Sequence, residues 1–576
     1  MAEVKEATGA RAAEPFFQEA PRLTNTFEAD RVLAETLERL LPGDLHARLL
    51  PEWRALGEEA AGPLAELARQ AQADLPRHVP YDAWGRRIDE VVVSPAWREL
   101  HRAAARWGLT AIPYEPALGP FARLHQFALL DLYGPSSAVY SCYLAMTDGT
   151  ARTLLEVDRG ELAARVVPRL TSRDSDRLWT SGQWMTERTG GSDVSRTETE
   201  ARRSEDGRWR LFGTKWFTSA VTSEVALTLA RPEGAGPGSS GLSLFFLELR
   251  DAEGRLDGIR INRLKDKLGT RALPTAELTL DGAPAVPVGG LGHGVRKITP
   301  LLNVTRLHNA ISACGMMARL LQLLRDYARR RVVFGEALAR KPLHAETLAD
   351  LHVEYEAALA LTLDAARLFG RVEAGEASEE ERLALRLLTP LAKLLTARQA
   401  VAVASEALEG FGGAGYVEDT GLPVWLRDAQ VLPIWEGTTN VLSLDVLRAT
   451  AREGALAAWV AYARRRLEGL AGSPLADVAE SIAGRLEAVE GYPARAASAG
   501  PAFVEAAARC FALVTAGLAA AVPLAEQGAW ALARGRGERS ALAARRWVAE
   551  RVPALLEPAS LPGRVEASRT LSGLAD

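Results

Sequence analysis

A single carboxylate, Glu436, stands between Trp435 and Gly437 in the segment IWEGTTN at 434–440, immediately before a predicted helix. A carboxylate in such apolar surroundings can act as a general base, because burial raises the pKa of a carboxyl group. The alternative is an acid in the first turn of the helix, where the helix dipole favours negative charge. Taken alone, the segment favours this alternative.

Two adjacent glycines, Gly190 and Gly191, precede Ser192 and Asp193 in the segment MTERTGGSD at 185–193. Glycines allow the backbone to approach a phosphate closely, so that N–H groups and a hydroxyl can bind its oxygens. Without further context, a surface turn explains this pattern better.

Two other segments could hold a flat heterocycle and a diphosphate. GTKWFTS at 213–219 closes the first predicted hairpin, and its Phe217 and Ser219 offer an aromatic face and a hydroxyl. RVVFG at 331–335 ends a long predicted helix, where a guanidinium suits a diphosphate and the Phe can pack on a ring. The alternatives are core aromatics and a helix end with a Gly cap.

The elements that must position these residues follow from hydrophobic spacing. Apolar residues at three-to-four spacing, after a plausible cap at Asn25 or Thr26, predict helices up to about residue 170. A turn-rich stretch at 81–87 precedes the alternating Val91 and Val93 and predicts a short irregular element between these helices.

A β-region is predicted between about 180 and 290, where apolar and polar residues alternate. Asp-Gly pairs at 206–207, 257–258 and 281–282 separate the alternating segments, so short antiparallel strands are expected. Helical periodicity then returns near 295–331, 342–372, 380–408 and 437–450, which is enough for an antiparallel four-helix bundle. An Ala- and Arg-rich helical tail follows.

Composition excludes several classes of protein. The formal net charge is -4, with 69 basic and 73 acidic residues, so no global field attracts nucleic acid or an anionic membrane. Cys142, Cys314 and Cys510 form no CxxC pair, so neither a disulfide framework nor a metal site is predicted. We expect a soluble cytoplasmic protein that does not interact with membranes.

Together, the motifs resemble the acyl-CoA dehydrogenase superfamily from about residue 180 to 450. The matching elements, in order, are TERTGGSD, GTKWF, RVVFG, GFGGAGY and IWEGTTN. A nearer resemblance, to the AidB-like adaptive-response branch, rests on residues 81–100, 263–272 and 434–448. It implies an α+β, mainly α fold, with an antiparallel β-barrel-like domain between a helical domain and a four-helix bundle, and an extra helical tail. FAD would lie between the barrel and the bundle, and a neighbouring subunit of a homodimer or homotetramer would complete its site.

The resemblance assigns roles by position. The implied FAD-binding residues are Met185, Thr186, Gly191, Ser192, Phe217, Ser219, Arg331, Phe334, Gly413, Thr438 and Asn440. Glu436 takes the position of the catalytic base, and Arg306 and Asn303 are the implied substrate-binding residues. Two positions depart from the family, since Pro342 and Glu409 stand where a Gln is usual.

The patterns and the resemblance divide the chain into five regions. These are a flexible N-terminus at 1–25, a helical domain at 26–180, a β-domain at 181–290, a helical bundle at 291–450 and a helical extension at 451–576.

Three functions remain open at this point. The first is an acyl-CoA dehydrogenase in which Glu436 removes the α-proton while the β-hydrogen leaves as hydride to flavin N5, with an electron-transfer flavoprotein as acceptor. The second is an AidB-like flavoprotein that binds DNA through its tail and protects it against alkylation. The tail at 451–576 has 15 Arg and no Lys against 13 acidic residues, a net charge of only +2, which disfavours this alternative. The third is oxidase or nitroalkane-type chemistry, in which the same base and flavin pass the electrons to oxygen.

Overall fold

The computed structural model describes residues 18–552 and 563–573. The chain forms helices, then a β-barrel, then helices again, which confirms the predicted mainly helical α+β class. The predicted flexible N-terminus at 1–25 lies mostly outside the described residues.

The N-terminal region is helical, as predicted. Its elements are α1 (Arg31–Leu40), α2 (Gly43–Ala61), α3 (Pro63–Ala73), β1 (Arg77–Tyr81), β2 (Arg87–Val92), α4 (Pro95–Arg106), α5 (Ala122–Tyr133), α6 (Ser141–Val157) and α7 (Glu161–Leu170). The Asp30 carboxylate caps α1 by accepting hydrogen bonds from the N–H groups of Val32 at 3.0 Å and Leu33 at 3.1 Å. The predicted cap at Asn25 or Thr26 is therefore wrong, because Asn25 accepts instead from N–H groups of the turn before the helix.

The irregular element predicted near 81–87 is the turn of a β-hairpin. Strands β1 and β2 pair antiparallel, and Val91 lies in β2 opposite His78. The Asp82 carboxylate accepts hydrogen bonds from the N–H groups of Trp84 and Arg86, both at 2.9 Å. An acidic side chain that binds the backbone two residues ahead stabilises such a turn.

The middle region is a β-barrel. Its strands are β3 (Ser181–Trp184), β4 (Glu200–Arg203), β5 (Trp209–Ser219), β6 (Val225–Pro232), β7 (Ser243–Glu248), β8 (Ile259–Leu264) and β9 (Thr275–Pro287). Strands β6, β4, β5, β9 and β7 pair in that order, and β7 returns to β6 to close the barrel. Most pairs are antiparallel as predicted, but β3 and β4 pair with β6 in parallel.

Two predictions for the barrel are wrong, namely the turn at Asp281-Gly282 and the hairpin end at 213–219. Asp206-Gly207 does form the turn between β4 and β5, but Asp281 and Gly282 lie inside β9. The register jumps there, and Gly282, with a φ of 84°, is left without a partner on β5. A glycine in the left-handed region makes a β-bulge rather than a turn when the partner strand continues. The partner does continue, because residues 213–219 extend β5 and do not close a hairpin.

The four predicted helices of the bundle are confirmed. This region contains α8 (Gly294–Lys297), α9 (Thr299–Arg330), β10 (Val332–Val333), β11 (Glu336–Ala337), α10 (Pro342–Glu373), α11 (Glu379–Gly410), α12 (Pro423–Ala429) and α13 (Thr439–Glu453). The alternative interpretation of 331–335 as a helix end with a Gly cap is wrong. Phe334 and Gly335, with φ of 47° and 82°, instead form the turn between β10 and β11.

The helical tail packs onto the bundle. It contains α14 (Ala455–Glu468), α15 (Ala476–Ser498), α16 (Pro501–Ala533), α17 (Arg539–Arg546) and α18 (Arg564–Leu571). Buried residues of the N-terminal helices, the bundle and the tail form one continuous core. Helix α16 is long and apolar enough to cross a membrane, but 83% of its most apolar stretch is buried within the protein. It is therefore the central core helix of the tail.

Many tail arginines pair with carboxylates of the N-terminal helices and the bundle. These ion pairs are Arg465–Glu380, Arg466–Asp364, Arg536–Glu38, Arg539–Glu35, Arg546–Glu346 and Arg551–Asp350. Although burial raises the pKa of Asp364, Arg466 and Arg367 together lower it to about 2. The guanidinium groups thus attach the tail to the rest of the chain.

Candidate active site

Glu436 lies on a strained turn between α12 and α13. Its φ is 56° and that of Gly437 is 102°, so two successive residues adopt left-handed backbone. Helix α13 begins only at Thr439, and its cap is Thr438, whose hydroxyl accepts from the N–H of Val441 at 3.4 Å. Glu436 is therefore outside the first turn of the helix, and the helix-dipole interpretation is wrong. Such strain in a non-glycine residue is typical of functional sites.

The Glu436 carboxylate lies where the barrel meets the bundle. The Thr305 hydroxyl of α9 donates to Glu436 Oε2 at 2.8 Å, and the Gln183 amide of β3 donates to the same oxygen at 3.4 Å. Gln183 lies three residues before Thr186, so the glycine segment begins close to this carboxylate. The carboxylate is thus held by one side chain from each of the two domains.

A small cavity opens beside Glu436. Its walls include Cys142 and Met146 of α6, His308 of α9 and Trp435. The Trp435 indole N–H donates to the Asn309 side-chain oxygen at 2.5 Å, which fixes the ring next to the carboxylate. Burial raises the pKa of the Cys142 thiol to about 12, so this wall of the cavity carries no thiolate at neutral pH.

A buried charge network supports the far wall of the cavity. His308 Nε2 lies 2.8 Å from Asp148 Oδ2, and Arg123 Nη1 donates to the same oxygen at 2.6 Å. Although burial raises the pKa of a carboxyl group, Arg123 and then His308 hold the pKa of Asp148 well below its usual range. Asp148 therefore stays ionised and fixes the His308 ring.

A buried ion pair holds the glycine segment. Lys215 Nζ of β5 lies 2.7 Å from Glu187 Oε1, and both side chains are almost completely buried. The Glu187 carboxylate also accepts from the N–H of Glu198 at 2.6 Å and from the Thr199 hydroxyl at 2.5 Å. Glu187 thereby ties together both ends of the loop that contains Gly191 and Ser192.

The glycine segment and the aromatic segment lie side by side. The Trp216 N–H donates to the Thr186 carbonyl at 2.9 Å. A Cβ on Gly191 would lie 2.7 Å from Thr186 Oγ1, so a larger residue there would require the Thr186 side chain to move. Phe217 is 53% exposed, with the Lys265 ammonium 4.5 Å from the centre of its ring, and the Ser219 hydroxyl is 3.0 Å from that of Thr275.

The remaining predicted site residues lie elsewhere. Phe334 is 97% exposed at its hairpin tip, and Gly413 is exposed in the turn after α11. Asn440 is exposed and accepts a hydrogen bond from Arg509 of the tail at 3.2 Å. Within the described part of the chain no hydrogen bond joins these three residues to Glu436, and their roles at the flavin stay predictions.

The two residues implied in substrate binding also occupy defined positions on α9. Arg306 Nη1 lies 2.8 Å from Asp445 Oδ2, and its Nε donates to the carbonyl of Glu436 at 3.4 Å. Asn303 is partly exposed one turn earlier. Arg306 thus supports the Glu436 turn directly, and contact of Arg306 and Asn303 with a substrate stays a prediction.

Sequence reasoning missed three buried groups of the site. Glu187 and Lys215 belong to quoted motifs, but nothing in their spacing indicated that they pair. Lys393 is fully buried in α11, and its Nζ donates to the Gly437 carbonyl at 2.6 Å. The usable signal was a lone lysine within the apolar run PLAKLL at 390–395.

Comparison with known proteins agrees with this architecture. Residues 18–177 match the adaptive response protein AidB N-terminal domain, residues 182–283 the acyl-CoA dehydrogenase middle domain, and residues 292–451 the acyl-CoA dehydrogenase C-terminal domain. The chain is 49% identical to acyl-CoA dehydrogenase family member 11 of Caenorhabditis elegans, over 75% of this chain and 72% of the relative. It is 35% identical to the putative acyl-CoA dehydrogenase AidB of Escherichia coli (strain K12), over 66% of this chain and 70% of that protein.

Solved structures give the same result. The crystal structure of Caenorhabditis elegans ACDH-11 in complex with C11-CoA superimposes with a TM-score of 0.94 at 41% identity, over 98% of both chains. The apo-form of Bd2924 superimposes with a TM-score of 0.80 at 47% identity, over 89% of this chain and 99% of that chain.

Proposed function

Because the chain belongs to the acyl-CoA dehydrogenase family, with an AidB-type N-terminal domain, we propose that Glu436 is the base of an acyl-CoA dehydrogenation. As a member of this family it is an FAD-dependent oxidoreductase that acts on CH–CH groups of acyl-CoA. The proposal rests on the position of the Glu436 carboxylate. It accepts a hydrogen bond from the Thr305 hydroxyl and lies beside a cavity where the barrel meets the bundle.

The residues present fit an FAD at this junction. Gly191 and Ser192 are exposed beside Thr186, whose hydroxyl lies close to Gly191, and the neighbouring Phe217 ring is 53% exposed. We propose that Met185, Thr186, Gly191, Ser192, Phe217, Ser219 and Thr438 bind the flavin within one subunit. When bound, FAD supplies the acceptor for the hydride that leaves the β-carbon.

The protein groups supply the proton chemistry. Glu436 removes the α-proton of the thioester, and positioned general bases typically contribute about 10²–10⁴ in rate. The N–H of Glu436 donates no hydrogen bond within the described part of the chain, so it can donate to the thioester oxygen. A donor aimed at a developing oxyanion contributes about 3–4 kcal/mol. Trp435 and Met146 line the cavity and exclude water from the reacting atoms.

The proposed acyl-CoA substrate is supported by the similar ACDH-11 structure, which is a complex with C11-CoA. We further propose that the enzyme works in the cytoplasm, as a homodimer or homotetramer, and passes its electrons to an electron-transfer flavoprotein. Comparing reoxidation of the reduced enzyme by such a partner with reoxidation in air distinguishes a dehydrogenase from an oxidase.

Arg331, Phe334, Gly413 and Asn440 are proposed to complete the flavin site of a neighbouring subunit. Replacing Phe334 with Ala is therefore expected to weaken FAD retention about tenfold, a change of about 1.4 kcal/mol. Stability of the single subunit should not change, since the side chain is 97% exposed. Retained flavin is measured by absorbance after dialysis. The matched control is Trp84→Ala, since Trp84 is 94% exposed on the β1–β2 turn, and equal flavin loss in both variants would contradict the role of Phe334.

The ion pairs of the tail bear on the DNA-binding alternative. Arg465, Arg466, Arg536, Arg539 and Arg546 already pair with carboxylates, so these guanidinium groups are less available for phosphates. We expect no retention on immobilised duplex DNA even at about 50 mM salt, where electrostatic binding is strong. Retention that weakens steeply between 50 and 200 mM salt would instead support a DNA-binding tail.

A further inference from the structure

Lys393 is a buried cation without an ion-pair partner. Its side chain has no exposed surface, and it projects from the apolar stretch of α11 that includes Leu391 and Leu394. No carboxylate within the described residues lies within 4 Å of its Nζ, and the one hydrogen bond recorded for that atom is donated to the Gly437 carbonyl at 2.6 Å. Burial lowers the pKa of Lys393 to about 7. An ammonium group in this position destabilises the fold, so its presence needs a reason other than stability.

The carbonyl that Lys393 binds belongs to the strained turn. The Glu436 carbonyl accepts from Arg306 Nε at 3.4 Å, and the next carbonyl, that of Gly437, accepts from Lys393. Two cationic donors from α9 and α11 therefore hold successive carbonyls of a left-handed turn. Both residues of the turn have positive φ, which a free backbone disfavours at Glu436.

The Arg306 side chain that binds this turn is itself held by an ion pair with Asp445. Asp445 accepts hydrogen bonds from Arg306, Arg386 and Arg448, at 2.8, 2.8 and 2.6 Å. Arg386 also lies 2.9 Å from Glu453 Oε2, so two carboxylates, Asp445 and Glu453, hold these three guanidinium groups beside the turn. This network fixes the Arg306 guanidinium, whose Nε donates to the Glu436 carbonyl at 3.4 Å.

We propose that Lys393 is a positioning residue, which fixes the Glu436–Gly437 turn and so aims the Glu436 carboxylate at the substrate α-carbon. The inference rests on the proposed role of Glu436 as the base. The hydrogen bond recorded for Lys393 goes to the backbone of the turn and not to the Glu436 carboxylate. It acts on the turnover rate through the turn, because a displacement of about 1 Å in a catalytic group can reduce a rate about 10²-fold.

Replacing Lys393 with Met tests the inference. We expect kcat to fall about 10²-fold, while KM and FAD content change by less than about threefold. The melting temperature, measured at pH 6 where the ammonium group is protonated, should stay equal or rise, because Met removes a buried charge. Loss of rate without loss of stability distinguishes positioning from a purely structural role. Lys393→Arg keeps a cationic donor and should recover at least a tenth of the wild-type kcat.

Gln399→Met is the matched control. Gln399 lies on the same helix, is 5% exposed, and donates to the Glu354 carbonyl at 3.0 Å. It has no contact with Glu436, so its replacement should lower the melting temperature and leave kcat unchanged.

The outcomes separate this inference from the proposed function. If Lys393→Met has wild-type kcat while Glu436→Gln is inactive, the inference is overturned and the proposed base stands. A melting temperature for Lys393→Met that falls in parallel with kcat also overturns it, since the residue would then be structural. If Glu436→Gln itself remains active, the proposed function fails and the inference fails with it.

Discussion

Glu436→Gln is expected to retain bound FAD and to lose the bleaching of the flavin that acyl-CoA causes in the wild-type enzyme. The amide can still accept the hydrogen bond from Thr305, which is 2.8 Å from the present carboxylate, so the turn should keep its conformation. An amide cannot take the α-proton, and loss of a positioned base reduces the rate by up to about 10⁴-fold. Anaerobic titration with short, branched and long acyl-CoAs, followed by visible absorbance, measures this directly.

A matched substitution separates the chemistry from the loss of charge. Glu406 lies on α11, is exposed, and makes no ion pair within the described residues. Glu406→Gln should therefore bleach at the wild-type rate. If Glu436→Gln bleaches at the same rate as this control, Glu436 is not the catalytic base. A preparation of the wild-type protein that stays colourless when supplied with FAD would contradict the flavin site itself.

The spacing of apolar residues predicted most helices and strands, because this spacing depends on local sequence. Helices α9, α10, α11 and α13 have apolar spacing near 3.6 residues, which indicates a helix with one or more buried faces. The errors occurred where a tertiary partner decides the conformation. Asp281 and Gly282 would suit a turn, but β5 continues beside them, so the glycine becomes a bulge.

The conformation of the base was not predictable for the same reason. A Glu has no local preference for positive φ, and the left-handed turn at Glu436 forms because Lys393 and Arg306 bind its carbonyls. These donors lie 44 and 130 positions away along the chain. The motif resemblance located the base, but only the structure identified what holds it.

The barrel and the bundle each contribute half of the candidate site, and the two halves depend on different kinds of interaction. Around Glu436 the side chains act through hydrogen bonds to a strained backbone. Around the glycine loop, a buried ion pair and its hydrogen bonds fix the two ends of a segment that is otherwise open. Weakening the hydrogen bonds to the Glu436 turn should change the turnover rate. Weakening the ion pair at the glycine loop should change flavin binding and stability together.

Replacing Lys215 with Met is expected to have the largest effect on stability. It would leave the Glu187 carboxylate buried without its cation, and breaking a buried ion pair in this way costs about 3–5 kcal/mol. The Lys215 ammonium, against the effect of burial, holds the pKa of Glu187 below its ordinary value, so the unpaired carboxyl should take up a proton more readily. The loop that contains Gly191 and Ser192 should loosen and release FAD. Urea unfolding and flavin fluorescence measure the two effects.

Two further variants decide whether the pair acts as a unit. The double replacement Glu187→Met with Lys215→Met removes both charges, and stability should recover by several kcal/mol because no unpaired group remains buried. FAD binding should not recover, since the hydrogen bonds from Glu198 and Thr199 to the carboxylate are lost as well. The exposed pair of Arg202 and Glu200 in the same barrel is the control, because its loss should change stability by less than about 1 kcal/mol. If the double variant is no more stable than Lys215→Met alone, the side chains do not stabilise the loop through their pairing.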